Sequence, residues 1–216
     1  MKNKNILIYI MIIVTLMLNF LNLTKYERLN AKTNKTIKIS DLPEEFSQDA
    51  LKTINDFIQK THNLNYEIVI YFDYITGEIL KCGIGSLNRV KLKFVEGEFE
   101  GHSVASIHNH PQSVYSPPSD KNFGILMRDF EDYELVVSID ELWVLKAKCV
   151  NPILHIDLKM SAEYILDSCQ EYCTKLYSNN KKADEVCNIM YGTSLLNYIN
   201  DKNIKNTQLT KKKYQT

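Results

Sequence analysis

The sequence predicts a small α/β domain of the α+β kind, with a hydrophobic helix before it and a helical extension after it. The chain has 216 residues, which is enough for one domain with a proper core plus appendages. Hydrophobic residues make up 44% and charged residues 24%, a balance that excludes wholesale disorder. Apolar residues recur at helical spacing near residue 50, alternate between residues 66 and 147, and return to helical spacing after residue 150.

The charges of the chain balance. Lys plus Arg and Asp plus Glu each number 26, so the formal net charge is zero. A neutral chain without a basic–aromatic patch has no general attraction to nucleic acid, so we expect no nucleic-acid partner. Five cysteines, without a Cys-x-x-Cys pair, indicate buried or free thiols rather than a disulfide framework. A metal or redox role for Cys169 and Cys173, which would share one face of a helix, is the alternative.

Residues 1–23 predict a membrane anchor. Residues 5–23 contain no charged side chain, and about 20 such residues span a bilayer as a helix. Because no small-x-small cleavage site follows, we expect an uncleaved helix that makes the protein membrane-associated, with a cleaved signal peptide as the alternative. A start codon placed too far upstream is a third reading, under which the protein would be cytoplasmic. Basic residues flank both ends of the run, so its orientation stays open.

Residues 24–41 are polar and lysine-rich and predict a tether. The predicted domain, residues 42–150, opens with a helix over 47–61 that has Ser47 as its N-cap. Six strands are predicted by alternating β-branched and aromatic residues, at 66–72, 78–82, 90–95, 104–107, 134–138 and 142–147. Residues 121–129 have the apolar spacing of a short helix.

The C-terminal part has helical periodicity over residues 158–177 and 182–200. We therefore predict a helical extension over 151–204 that packs on the domain, with a partner-binding surface as the alternative. Residues 205–216 are polar and predict a disordered tail.

Two histidines stand two residues apart after the fourth predicted strand, in Ser106-Ile107-His108-Asn109-His110-Pro111. Side chains at this spacing past a strand end can turn toward one point, and neutral imidazole suits Zn²⁺. Asp120, in Ser116-Pro117-Pro118-Ser119-Asp120, can add an oxygen ligand. Zinc with three protein ligands keeps a water whose pKa falls to about 7. The prediction is a zinc site of His108, His110 and Asp120, with Asn122 or a water as the alternative to Asp120.

A strand followed by His-x-His-Pro and a Ser-rich loop with an Asp resembles the JAMM/MPN metalloprotease family, in its RadC-like or phage-type branch. The resemblance covers about residues 45–150 and implies a central mixed sheet flanked by helices. It implies a Zn²⁺ cofactor and hydrolysis of a peptide or isopeptide bond in a protein or peptide substrate. It also implies a glutamate at a strand start after the first helix, where Glu67 stands; Glu78 is the alternative.

By this resemblance, Glu67 holds the zinc-bound water as general base and then protonates the leaving amine. Ser116 or Ser119 donates a hydrogen bond to the developing oxyanion. The loop departs from the family pattern, whose usual spacing puts Asp at Lys121 and whose shorter phage-type spacing puts Ser at Pro117. Changes of this kind in the loop are expected when catalytic activity is lost. The second hypothesis is therefore a catalytically inactive interaction module of this fold, of phage origin.

Overall fold

A computed structural model describes residues 2–86, 89–111, 117–147, 150–177, 180–201 and 207–215. The helices and strands are, in chain order, α1 Lys2–Glu27, α2 Gln48–Thr61, β1 Ile68–Asp73, β2 Ile79–Ile84, β3 Val104–Asn109, β4 Tyr133–Val137, β5 Glu141–Ala147, α3 Pro152–Leu176, α4 Asn180–Asp201 and β6 Thr207–Lys213. Two 3-10 helices span Ile39–Asp41 and Asp120–Met127. The predicted α+β class is confirmed.

The strands form one six-stranded sheet in the order β2-β1-β3-β4-β5-β6. β3 and β4 run parallel and all other neighbours run antiparallel, so the sheet is mixed. His108, next to the last residue of β3, pairs with Val69 of β1 and Val136 of β4. The first histidine of the predicted site therefore lies in the middle of the sheet.

One face of the sheet packs against α2. Side chains alternate between the two faces of a strand, and Ile68 and Phe72 of β1 share a buried cluster with Phe57 of α2. α2 begins where the Ser47 hydroxyl accepts a hydrogen bond from Ala50 N–H at 3.0 Å. The predicted helix and its N-cap are confirmed.

Gly77 makes the turn between β1 and β2 with a positive φ of 76°. A Cβ added here would lie 2.6 Å from the backbone of Asp49, at the start of α2. The turn therefore needs glycine both for its backbone conformation and for its close approach to the helix.

The opposite face of the sheet is covered over only part of its width. Over β4, β5 and β6 it packs against α3, α4 and the 3-10 helix Asp120–Met127, around the buried Trp143. Over β1 and β3 it carries a smaller buried cluster of Tyr71, Phe99 and Val104, and next to this cluster the described residues leave part of the face uncovered. Polar side chains that alternate with the core residues line a cavity there.

The alternation at residues 90–95 predicts a strand, and this prediction is wrong. The segment lies beside β2, where the absence of a side chain at Gly83 lets Val90 and Leu92 approach closely, but it forms no strand. Val90, Leu92 and Phe94 line the cavity, whereas the lysines between them are exposed. The apolar half of the pattern thus faces a cavity instead of a core.

The predicted disordered tail is also corrected, because β6 lies within it. Thr207 and Leu209 are buried, and β6 pairs with β5, which would otherwise be the edge of the sheet. Lys211 places its ammonium 5.4 Å from the centre of the Trp143 ring. The long lysine stem covers apolar surface while its charge stays near solvent.

α1 continues to Glu27, and its last turns dock on the domain. The Asn19 side chain accepts from Cys82 N–H at 2.8 Å and donates to Leu80 O at 3.3 Å, and Asn22 donates to Cys82 O at 3.4 Å. Tyr26 is 1% exposed. The two asparagine side chains satisfy main-chain groups of β2, which is an edge strand of the sheet.

The segment 24–41, predicted as a tether, is therefore part of the folded body. Ile37 is buried, and its main-chain N–H and C=O both bond to the Asn55 side chain of α2. Thr36 bridges to Gln215 at the other end of the chain. The polar composition of the segment does not reveal these contacts, because they use main-chain groups and the isolated apolar residues Tyr26 and Ile37.

The cysteines of the described residues are buried and form no disulfide: Cys82, Cys169, Cys173 and Cys187. Cys149 lies outside the described residues. The last three of the four sit between α3 and α4 in one cluster. The expectation of buried thiols is confirmed for these four.

Candidate metal centre

A cavity of about 790 Å³ lies on the open part of the sheet. Its floor is built by side chains of the same parity on neighbouring strands, because registered residues share a face. Val69 and Tyr71 come from β1, Ser106 and His108 from β3, and Glu134 from β4. The polar members of this set interrupt strands that are otherwise apolar.

Glu67, His108 and His110 come together in this cavity. One ligand atom from each lies within 4.8 Å of the others. The Nε2 atoms of the two histidines are 3.2 Å apart. A tetrahedral zinc separates two ligand nitrogens by about 3.3 Å, as follows from Zn–N bonds of 2.0–2.1 Å. The histidine spacing therefore fits a metal ion, with Glu67 near enough to contact the ion or a water bound to it.

Asn109, the residue between the histidines, holds the main chain on both sides of Glu67 close to them. Its side chain is buried, accepts from Ile68 N–H at 2.7 Å and donates to Tyr66 O at 3.0 Å. These two bonds bracket Glu67 on either side. The amide thus ties the chain just before β1 to the histidine segment, at the point where the β1–β3 ladder ends.

Burial sets the charge state of the first histidine. Desolvation lowers the pKa of His108 well below 6.5, and the nearby His110 and Arg128 lower it further. His108 is therefore neutral at physiological pH, which is the form that binds metal ions.

Glu67 is half-buried, and desolvation raises its pKa above 4.5, while Lys121 acts in the opposite direction. A carboxylate with a raised pKa holds a proton more readily than an exposed one. Glu67 is thus suited to accept a proton within this cavity.

The structure does not bring Asp120 to this group. Asp120 begins the 3-10 helix and lies outside the cavity lining. Burial raises the pKa of Tyr191 on α4, and the charge of Asp120 is the second cause. Asn122, two residues later, takes the place beside the histidine: its Nδ2 lies 3.2 Å from His108 Nε2. The turn of the 3-10 helix presents residue 122 to the cavity and residue 120 to α4.

Of the two predicted serines, Ser119 lines the cavity and caps the 3-10 helix. Its hydroxyl donates to Asn122 Oδ1 at 3.2 Å, and its N–H donates to the same oxygen at 2.6 Å. Ser116 lies outside the described residues. An oxyanion contact from either serine stays a prediction.

A buried acidic network lies beneath the histidines. Glu134 Oε1 is 3.6 Å from His108 Nδ1 and accepts from Asn122 Nδ2 at 2.9 Å. Glu131 accepts from the Ser106 hydroxyl and from Arg128. Burial raises the pKa of Glu134 to about 8, with the neighbouring Glu131 as the second cause and Arg128 opposing both.

Glu134, Asn109 and Arg128 belong to the site, although no motif in the sequence points to them. One signal for Glu134 was present, since it is an acidic residue inside the apolar run of β4. A charge in a strand that is buried on both sides requires partners, and those partners mark polar sites.

The outer wall of the cavity is apolar and extended. It consists of Val90, Leu92 and Phe94, with Arg89 and Lys121 also in the lining. The main-chain groups of residues 90–94 make no hydrogen bond to other described residues. Among the described residues, the cavity thus has an apolar wall without main-chain hydrogen bonds opposite the polar floor.

Comparisons of the chain with protein-family models, with curated proteins and with solved structures gave no match.

Proposed function

We propose that this protein is a zinc-dependent hydrolase of peptide or isopeptide bonds, as its resemblance to the JAMM/MPN metalloproteases implies. One observation carries the proposal: Glu67, His108 and His110 converge within 4.8 Å in a cavity of the sheet. Glu67 is distant in sequence from the two histidines, since it stands before β1 while they lie at the end of β3. Such convergence of titratable ligands in a cavity is typical of functional sites.

In this proposal His108 and His110 hold the zinc, which would polarise a carbonyl and lower the pKa of water. Glu67 accepts a proton from the attacking water. The water oxygen joins the carbonyl carbon, the C–N bond breaks, and Glu67 returns the proton to the leaving nitrogen. The half-buried position of Glu67 supports this role, because desolvation makes the carboxylate a better proton acceptor.

The outer wall supports a peptide as the substrate. Residues 90–94 have unpaired main-chain groups among the described residues, and an extended peptide can bond to such groups. Val90, Leu92 and Phe94 would contact apolar side chains of that peptide.

The location that we propose is a membrane, reached through an uncleaved α1. The structure has a helical stretch, Ile10–Glu27, that is long and apolar enough to cross a bilayer and only 6% buried. Leu16, Met17 and Leu18 are more than half exposed. Because Asn19 and Tyr26 are bound to the domain, only the residues before Asn19 are free to enter a bilayer. Their uncharged part, residues 5–18, is shorter than the about 20 residues that span a bilayer, so a spanning α1 would have to release its last turns from β2.

Zinc content tests the proposal. The full-length chain, purified in detergent, is expected to bind one zinc per chain, and His108→Ala and His110→Ala are expected to abolish binding. His155→Ala, which changes a histidine on α3 far from the cavity lining, serves as the matched control. Glu67→Gln is expected to keep zinc and lose hydrolysis of a peptide library. No zinc in the wild type, or full binding by His108→Ala, would contradict the proposal.

A second candidate function is a non-catalytic interaction module of the same fold. Asn122 favours it, because an amide N–H faces His108 where a third metal ligand would be expected. If the chain shows no hydrolysis of any peptide in the library and Glu67→Gln changes neither zinc content nor partner binding, the module is the better description.

A further inference from the structure

We propose that Asn122 determines the metal affinity of this centre: its amide keeps the position of a third ligand occupied by hydrogen-bond donors, and a carboxylate there would complete a high-affinity site. This inference rests on the proposed metal site of His108 and His110. In this inference Asn122 lowers the affinity of the site for a metal ion.

The orientation of the Asn122 amide is fixed by its neighbour. Ser119 N–H and the Ser119 hydroxyl both donate to Oδ1, at 2.6 and 3.2 Å. A flipped amide would set its own N–H donors against Ser119 N–H, which can only donate. The oxygen of Asn122 therefore points to the start of the 3-10 helix, and the nitrogen points to the metal centre.

The nitrogen of Asn122 then fills the space beside the histidine. Nδ2 lies 3.2 Å from His108 Nε2 and donates to Glu134 Oε1 at 2.9 Å. An amide nitrogen has no lone pair for a cation, and its N–H dipoles are directed toward the atom that would bind the metal. In this state, His108 Nε2 accepts a hydrogen bond instead of coordinating an ion.

The same position is well placed for a ligand. Its distance of 3.2 Å from His108 Nε2 equals the separation of the two histidine nitrogens, and both are close to the tetrahedral edge of about 3.3 Å. Asp has the shape of Asn, so Asn122→Asp keeps an acceptor for Ser119 N–H and turns the second oxygen toward the histidines. The variant would place a carboxylate oxygen beside His108 Nε2, which lies next to His110 Nε2.

The contact with Glu134 explains why residue 122 has an amide instead of a carboxylate. Asn122, His108 and Glu134 are 5%, 7% and 6% exposed, so the three groups are shielded from water. A second carboxyl group in contact with Glu134 would leave two acidic groups side by side, of which at most one could ionise without a cation between them, whereas an amide donates to Glu134 and leaves the metal-free centre intact. The chain thus gains stability without metal and loses affinity for it.

The test measures zinc binding by calorimetry with a competing chelator, on full-length protein in detergent. Losing a group that only orients a ligand costs about 10- to 100-fold in metal affinity, so gaining a ligand is expected to tighten zinc binding at least about 100-fold in Asn122→Asp. Asn122→Ala, which removes the donors without adding a ligand, is the control and is expected to gain far less. Asn122→Asp with Glu134→Gln relieves the charge repulsion and is expected to show the same gain.

The outcomes separate this inference from the proposed function. If the wild type binds zinc through His108 but Asn122→Asp binds no more tightly, the inference is overturned and the proposed metal site stands. If Asn122→Ala gains as much as Asn122→Asp, the position is only a steric obstacle and the inference is wrong. If neither the wild type nor the Asp variants bind zinc, both fail, and the same holds if both Asp variants remain unfolded with zinc present.

Discussion

Replacing Asn109 by Ala tests whether the residue between the histidines holds Glu67 in place. The Asn109 side chain makes two hydrogen bonds, one from Ile68 N–H at 2.7 Å and one to Tyr66 O at 3.0 Å. Ile68 is fully buried, so its N–H would have no water to replace the lost acceptor. An unpaired buried donor costs about 1–3 kcal/mol and a lost hydrogen bond about 1 kcal/mol, which gives a loss of about 2–4 kcal/mol in the free energy of unfolding.

Urea unfolding of the full-length chain in detergent measures this loss. The chain has one tryptophan, and Trp143 is buried in the cluster under α3 and α4, so its fluorescence reports unfolding of the whole domain. Asn65→Ala, which changes an exposed asparagine near the same strand, is the control and is expected to stay within about 0.5 kcal/mol of the wild type. If Asn109→Ala also stays within that range at an unchanged denaturant slope, the two hydrogen bonds of Asn109 do not stabilise the fold, which refutes the reasoning.

Three further predictions concern other buried groups. Burial raises the pKa of Glu134 from 4.5 to about 8, so without zinc the wild type is expected to lose stability relative to Glu134→Gln as the pH rises from about 4.5 to about 8. A difference between the two that stays constant in pH-dependent melting would contradict this. Gly77→Ala puts a Cβ against the backbone of α2 at positive φ and is expected to cost more than the about 1–3 kcal/mol of backbone strain alone. Gly101→Ala, with positive φ but open space around the added Cβ, is the control, and equal losses would refute the contact. Lys81 is 2% exposed and paired with Glu98, so Lys81→Met and Glu98→Gln are expected to couple by about 0.5–3 kcal/mol in a double-mutant cycle; additive losses would show that the pair contributes nothing.

Most of the sheet could be predicted because its residues follow a local rule. Short apolar runs mark buried strands, period-two alternation marks strands with one solvent-exposed face, and β1, β2, β3, β4 and β5 all contain predicted segments. The same rule failed at residues 90–95, since an extended segment that lines a cavity has the same alternation as a paired strand. Pattern reveals which side chains are shielded from water, and it does not reveal what shields them.

The site could be predicted only where its residues are neighbours in sequence or stand at a strand boundary. His108 and His110 follow from their spacing at the end of β3, and Glu67 follows from its place before β1 through the family resemblance. Asp120 and Asn122 differ by two positions on one helical turn, and which of them faces the histidines depends on the packing of the 3-10 helix against α3. Glu134 enters through strand pairing, which no local pattern specifies.

The docking of α1 on β2 affects how a soluble form of the protein must be prepared. Deleting the first 35 residues would remove the hydrophobic stretch, but it would also remove Asn19 and Asn22 and uncover the main-chain groups of Leu80 and Cys82. An uncovered sheet edge recruits strands from other molecules and promotes aggregation. A shortened chain that begins at Leu18 keeps both asparagines and Tyr26, and is therefore expected to stay monodisperse where the longer deletion precipitates.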